Sequence, residues 1–154
     1  MKKETLKKIA AWLPAVAVMV IIFCFSAQGA DESAQVSGGL LDWLEKVFHI
    51  TLNQNFIRKT AHALEFCALG VAAEIGFFVS LGRIAPVATL IFSFLYSLSD
   101  EIHQIFVPGR ACMAKDIFID LCGAAVGTLF FILIAAIIGK IKELTGRHTK
   151  GDES

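Results

Sequence analysis

The sequence has no surplus of either charge: 14 lysines and arginines stand against 14 aspartates and glutamates in 154 residues. The basic field that nucleic-acid binding relies on is missing, so no nucleic-acid partner is expected. The four cysteines, Cys24, Cys67, Cys112 and Cys122, form no CxxC and no Cys/His spacing of the zinc kind. Three of them lie within apolar runs and read as small apolar residues; only Cys112 falls in a short connection. No internal repeat or low-complexity tract interrupts the chain, and charged residues are only 18% of it.

What is abundant is apolar side chain. At 56% hydrophobic and a mean hydropathy of +0.67, a chain of about one domain belongs in a membrane rather than in water. About 20 mostly apolar helical residues cross the hydrocarbon, and four stretches offer them: 9–27, 60–81, 84 onward and 117–139. The expectation is an all-α polytopic membrane protein, a four-transmembrane-helix bundle over residues 9–139. A polar segment, 1–8, precedes it, and a frayed lysine-rich tail, 140–154, follows. The first stretch also allows a cleaved signal peptide, with lysines before it and Ala27 and Gly29 after, although its apolar run exceeds the usual ~7–15 residues.

The third stretch stops being purely apolar at Leu98, short for a span. Wound at about 100° per residue, Asp100, Glu101, His103 and Gln104 then share one arc, with Ile102, Ile105 and Phe106 opposite. This is an amphipathic continuation of the helix, able to run to Val107, where Pro108 enforces extended geometry and Pro-Gly supplies a turn. Between the first two spans, LLDWLEKVF at 40–48 reads as an outer helix lying in the membrane interface. Lys2, Lys3, Lys7, Lys8, Arg83, Lys140, Lys142, Arg147 and Lys150 fall on one side of the bundle. Lys46, Arg58, Lys59, Arg110 and Lys115 fall on the other. The larger cationic group marks the cytoplasm, so both termini are expected there.

With that topology the unusual polar residues gather at the outer ends: Ser26 and Gln28, then Arg58, His62 and Glu65, then Asp100 to Gln104, then Asp116 and Asp120. Arg58, His62 and Glu65 are spaced four and three apart and share a helical face; Asp116, Asp120, Gly123 and Gly127 share another. Glycines below the acids let a neighbouring helix approach. Charges within a span cost roughly 2.5 to 3.5 kcal/mol each at the helix centre, so several together must pair, bind something or face water.

Two readings stay open. One is a structural network in which Arg58 or Arg110 neutralises the acids. The other is an extracytoplasmic pocket in which Arg58 and Arg110 hold an anionic headgroup with Gln104, Asp116 and Asp120 as further binding residues. His62, Glu65, Asp100, Glu101 and His103 would then supply acid–base chemistry through the couples His62 with Glu65 and His103 with Asp100 or Glu101. The same donor set would also suit a divalent metal, with no fixed ligand count. Glu74, deeper in the second span, reads as a structural partner of Arg83. Ion passage fits poorly, because the polar residues do not run on to the cytoplasmic side.

FSAQ at 25–28, RKTAHALEF at 58–66, SDEIHQIFVPGR at 99–110 and DIFIDLCGAAVG at 116–127 resemble the successive motifs of VanZ-like membrane proteins, in order and over nearly the whole chain. The position after the glutamate, often tyrosine in that family, is Phe66, and the second acid, sometimes asparagine, is Asp120. The resemblance implies a small helical protein of the bacterial cytoplasmic membrane, in a family named for an accessory protein of teicoplanin-type glycopeptide resistance. It marks the ten residues above, with Pro108 and Gly109, as functional positions. The expected ligand is an anionic envelope component, a lipid phosphate or lipid-linked wall precursor, bound or processed at that pocket; the alternative is a non-catalytic binding or shielding module.

Overall fold

The computed structural model describes residues 2–29 and 53–151, with a few isolated positions between them, and side chains as far as Glu143. Its elements are α1 (Lys2–Ser26), α2 (Gln54–Leu81), α3 (Pro86–Gln104) and α4 (Ala114–Gly151). All are helices. Local chemistry sets their ends. Asn53 caps α2, its side chain accepting the Asn55 N–H at 2.8 Å. Gly82, at φ 69°, closes α2 in the left-handed conformation and donates its N–H to the Phe78 carbonyl at 2.9 Å. Pro86 opens α3, where no intrahelical N–H is needed.

Three helices, α1, α2 and α4, are long and apolar enough to cross a membrane. α3, at 19 residues, is not among them, because its last turns carry Asp100, Glu101, His103 and Gln104. The burial pattern suits lipid surroundings: Leu13, Val20, Phe94, Phe130 and Ile137 face outward, while Glu74, Ser97, Asp100, Glu101 and Asp120 are buried. Water would reverse that arrangement.

α2 is the hub, packing on α1, α3 and α4. Its contact with α4 is made of small residues: a Cβ on Gly70 would collide with the Ala124 backbone, one on Gly123 with the Ala63 carbonyl, and one on Gly127 with the Cys67 carbonyl. The two helices therefore run parallel, backbone against backbone, as the Gly123/Gly127 spacing predicts. α1 packs antiparallel on α2 through Ala15, Ile22, Phe66, Leu69 and Ala72. The Trp12 ring fills the space beside Gly76 and meets Phe77 edge-on at 4.9 Å, and its Nε1 donates to Ser80 Oγ at 3.1 Å. The Tyr96 hydroxyl ties α3 to the Met19 carbonyl of α1 at 2.5 Å.

Glu74 is fully buried, and its partner is not Arg83. Its carboxylate accepts the Ala85 N–H at 2.6 Å and the Thr89 hydroxyl at 2.5 Å, so a side chain of α2 holds the first turn of α3, where unpaired N–H groups need acceptors. Glu74→Ala leaves two donors without a partner and is expected to cost roughly 2 kcal/mol or more, read as a lower unfolding midpoint in detergent.

Three further expectations meet the structure differently. The helix of α3 ends at Gln104 rather than Val107, because residues 105–107 tighten into i→i+3 turns, Phe106 N–H to the His103 carbonyl at 3.0 Å and Val107 N–H to the Gln104 carbonyl at 3.1 Å. The backbone of α4 continues to Gly151, through the segment expected to fray; Lys140, Lys142, Glu143 and Leu144 are good helix formers at its start. The interfacial helix at 40–48 lies, but for Lys46 and Val47, outside the described residues.

Candidate functional site at the polar end of the bundle

α1 and α3 run one way and α2 and α4 the other, so the end of α1, the start of α2, the end of α3 and the start of α4 meet. Hydrogen bonds knit them together. Ser26 Oγ donates to Asp100 Oδ2 at 2.8 Å, and Gln104 Nε2 reaches the same oxygen at 3.0 Å. Ser97 Oγ donates to Asp120 Oδ2 at 2.7 Å. Lys59 Nζ pairs with Asp116 Oδ1 at 2.9 Å, and His62 Nδ1 stands 3.5 Å from Asp120 Oδ1.

The structure rearranges the expected couples. The charge partner of His62 is Asp120, with Glu65 nearby but not bonded to it. Glu65 Oε2 is buried and has no hydrogen-bond partner, in electrostatic reach of His62, Asp100 and Asp120. His103 is coupled to neither Asp100 nor Glu101; its ring lies 4.6 Å from that of Phe23 on α1, and its buried Nε2 has no partner. Asp100 and His103 both meet α1, but at different residues, Ser26 and Phe23. Glu101 acts as a tie, accepting the Met113 N–H at 2.6 Å and so fixing the approach to α4.

Arg58 and Arg110 do not neutralise these acids. Among the described residues neither makes an ion pair within 4 Å; Arg110 donates through Nε to the Gln28 carbonyl at 3.3 Å, and the two guanidinium groups feel each other's charge. Burial and the Arg58 charge pull Arg110 below its ordinary range, against the opposing effect of Asp100, Asp116 and Glu101. Both arginines are half-buried and, with Lys59, His62, Gln104, Asp116 and Asp120, line a narrow cavity of about 10 Å³. That is room for about one water molecule. The turn beneath it matches expectation: Val107–Arg110 closes with the Arg110 N–H on the Val107 carbonyl at 3.1 Å and Gly109 at φ 74°, the type II geometry that Pro-Gly favours. Among the described residues, no group of three or more His, Cys, Asp or Glu side chains is arranged to hold a metal ion.

Several participants escape a reading based on charge alone. Lys59 holds Asp116, and Ser97 holds Asp120. The signal for the latter lies in the spacing of Thr89, Ser93, Ser97, Asp100 and Gln104, four, four, three and four apart. All five are buried, forming a polar stripe along one face of α3 that reaches Glu74 at the opposite end. The polar residues thus do continue toward the other side of the bundle, as hydroxyls rather than charges.

Cys112 sits exposed at this end, within electrostatic reach of Glu101. Lost hydration and the neighbouring carboxylate push its thiol above the ordinary cysteine range. A raised pKa means less thiolate at pH 8, so Glu101→Gln is expected to speed maleimide labelling of Cys112 several-fold. An unchanged rate would remove the coupling.

The family model described as VanZ/LLP1 matches residues 11–135, a range that spans α2 and α3, most of α1 and the first half of α4, with every polar residue of this cluster. No curated protein and no solved structure matches the chain.

Proposed function

We propose that this chain, which belongs to the VanZ/LLP1 family, crosses the bacterial cytoplasmic membrane four times and binds the phosphate of an anionic envelope lipid at its extracytoplasmic end. α3 serves as the fourth span: 19 residues at ~1.5 Å each come close to the ~30 Å of hydrocarbon, and its acids are turned inward. The lysine and arginine distribution supports cytoplasmic termini. Cys112 then faces outward, and a membrane-impermeant maleimide added to intact cells should label it; labelling only after lysis would invert the topology.

The observation that carries the binding reading is the pair Arg58 and Arg110. They are neighbours of like charge, half-buried, and form no ion pair among the described residues, beside acids held by Lys59, Ser26, Ser97, Gln104 and Met113. Two adjacent guanidinium groups repel each other until an anion lies between them, and their forked donors fit phosphate oxygens. A purely structural network accounts for Asp100 and Glu101 but leaves both arginines without a direct carboxylate contact among the described residues.

Titration of the detergent-purified protein with a short-chain polyprenyl phosphate and with the corresponding polyprenol tests this. The phosphate should bind about 100-fold more tightly, equivalent to roughly 2.7 kcal/mol; equal affinities would refute it. If the bound lipid is a carrier of wall precursors, teicoplanin susceptibility of cells expressing the protein is the corresponding whole-cell readout.

A further inference from the structure

We infer that the site also hydrolyses the phosphoanhydride bond of a lipid diphosphate, with His62 as general base; this rests on the phosphate-binding reading above. His62 lines the same cavity as Arg58 and Arg110, with the Lys59–Asp116 pair and Asp120 beside them, so a base and two guanidinium groups converge on one small space. Its ring is held on two sides. Phe66 stacks on it with centroids 6.5 Å apart and planes 16° from parallel. Asp120 Oδ1 stands opposite Nδ1 at 3.5 Å while Asp120 Oδ2 is anchored by the Ser97 hydroxyl at 2.7 Å.

His62 Nδ1 and Asp120 Oδ1 are both buried and make no hydrogen bond at this distance; once the gap closes, a carboxylate facing Nδ1 holds the proton on that nitrogen and leaves Nε2 as the basic one. The 3.5 Å separation is the loose end of the range seen before a substrate tightens such a contact. Asp120 is fully buried and Ser97 fully buried, so the support for the imidazole sits in packed helix rather than in a mobile loop.

The nucleophile is a water molecule positioned between His62 and the bound diphosphate. Its oxygen forms a new bond to the terminal phosphorus while the bridging P–O bond breaks and its electron pair leaves with the lipid monophosphate. The water proton passes to His62 Nε2 and returns from the imidazolium to a phosphate oxygen, so the ring ends as it began. Arg58 and Arg110 neutralise the charge on two adjacent phosphates, one guanidinium for each, while Lys59 stays paired with Asp116. Asp120 is a positioning residue in this scheme, acting through His62.

Farnesyl diphosphate in mixed micelles with the full-length protein is the probe, with released phosphate as readout and inorganic pyrophosphate as the arm that separates a lipid source from a soluble one. Phosphate release is expected from farnesyl diphosphate and not from pyrophosphate. His62→Ala should lower kcat by about 100-fold or more, with partial rescue by added imidazole, which a merely structural role would not show. His62→Gln, closer in volume, is the second variant should the alanine fail to insert. Asp120→Asn should lower kcat with KM held within about threefold. Farnesyl diphosphate that binds without phosphate release, or release unaffected by either His62 substitution, overturns the hydrolysis and leaves the binding reading standing. Failure to bind farnesyl diphosphate or polyprenyl phosphate overturns both.

Discussion

Gly127→Val is expected to pry α2 from α4 and lower the thermal midpoint of the detergent-solubilised protein by roughly 10 °C or more. Overpacking a well-filled core costs about 1–3 kcal/mol when side chains can yield. Here the opposing atom is the Cys67 carbonyl, which moves only with its helix, so the cost is expected at or above the top of that range, and each kcal/mol shifts the midpoint by about 2–4 °C in a chain of this size. Gly139→Ala is the matched comparison: nothing lies within 4 Å of a Cβ there, and removing a helical glycine should be neutral or stabilise by about 0.5–1 kcal/mol. Equal melting behaviour for the two variants would mean that α2 and α4 are not in backbone contact. The consequence reaches the site, since α2 carries Arg58 and His62 and α4 carries Asp116 and Asp120.

The second large effect concerns the cations. Replacing both Arg58 and Arg110 with alanine should weaken polyprenyl phosphate binding by about 100-fold or more, taking about 1.5–3 kcal/mol for each hydrogen bond to a charged group. Each single replacement should cost about tenfold, because one remaining guanidinium still meets the anion without a repelling neighbour. Arg83→Ala, in the turn between α2 and α3 at the opposite end of the bundle, should leave the affinity unchanged. Salt should weaken the wild-type interaction less than it weakens exposed ion pairs, because both arginines are half-buried.

Much of this arrangement is legible in the residues. The apolar runs give the helices, the fourfold and threefold spacings of Arg58, His62, Glu65 and of Asp116, Asp120, Gly123, Gly127 give their faces, and antiparallel threading gathers those faces at one end. Pairing within the cluster is less legible. His62 meets Asp120 rather than Glu65 because the glycine contact draws α4 against α2, a tertiary distance that no spacing within α2 encodes. His103 is not bonded to Asp100 because α1 offers each a different partner, Ser26 for Asp100 and the Phe23 ring for His103. Glu74 looked like a partner for Arg83 on charge alone. Backbone N–H groups at a helix start are equally good partners for a buried carboxylate, and they carry no mark in a sequence.

The same reasoning explains why Ser93 and Ser97 are easily passed over. A hydroxyl in an apolar run can satisfy itself on its own helix, so its presence says little until a neighbouring helix is in place. Once Asp120 stands opposite Ser97 at 2.7 Å, the serine becomes the anchor of the acid that faces His62.

Solid-state NMR dephasing between guanidinium ¹⁵N and lipid ³¹P, on arginine-labelled protein in bilayers containing a polyprenyl phosphate, tests the central claim most directly. Arg58 and Arg110 should both lie at direct hydrogen-bonding range from phosphorus-bound oxygen, with N···O near ~2.8 Å, and the dephasing should vanish when polyprenol replaces the phosphate in a phosphorus-free detergent. Strong dephasing confined to Arg83 or Arg147, with none at Arg58 and Arg110, would contradict it.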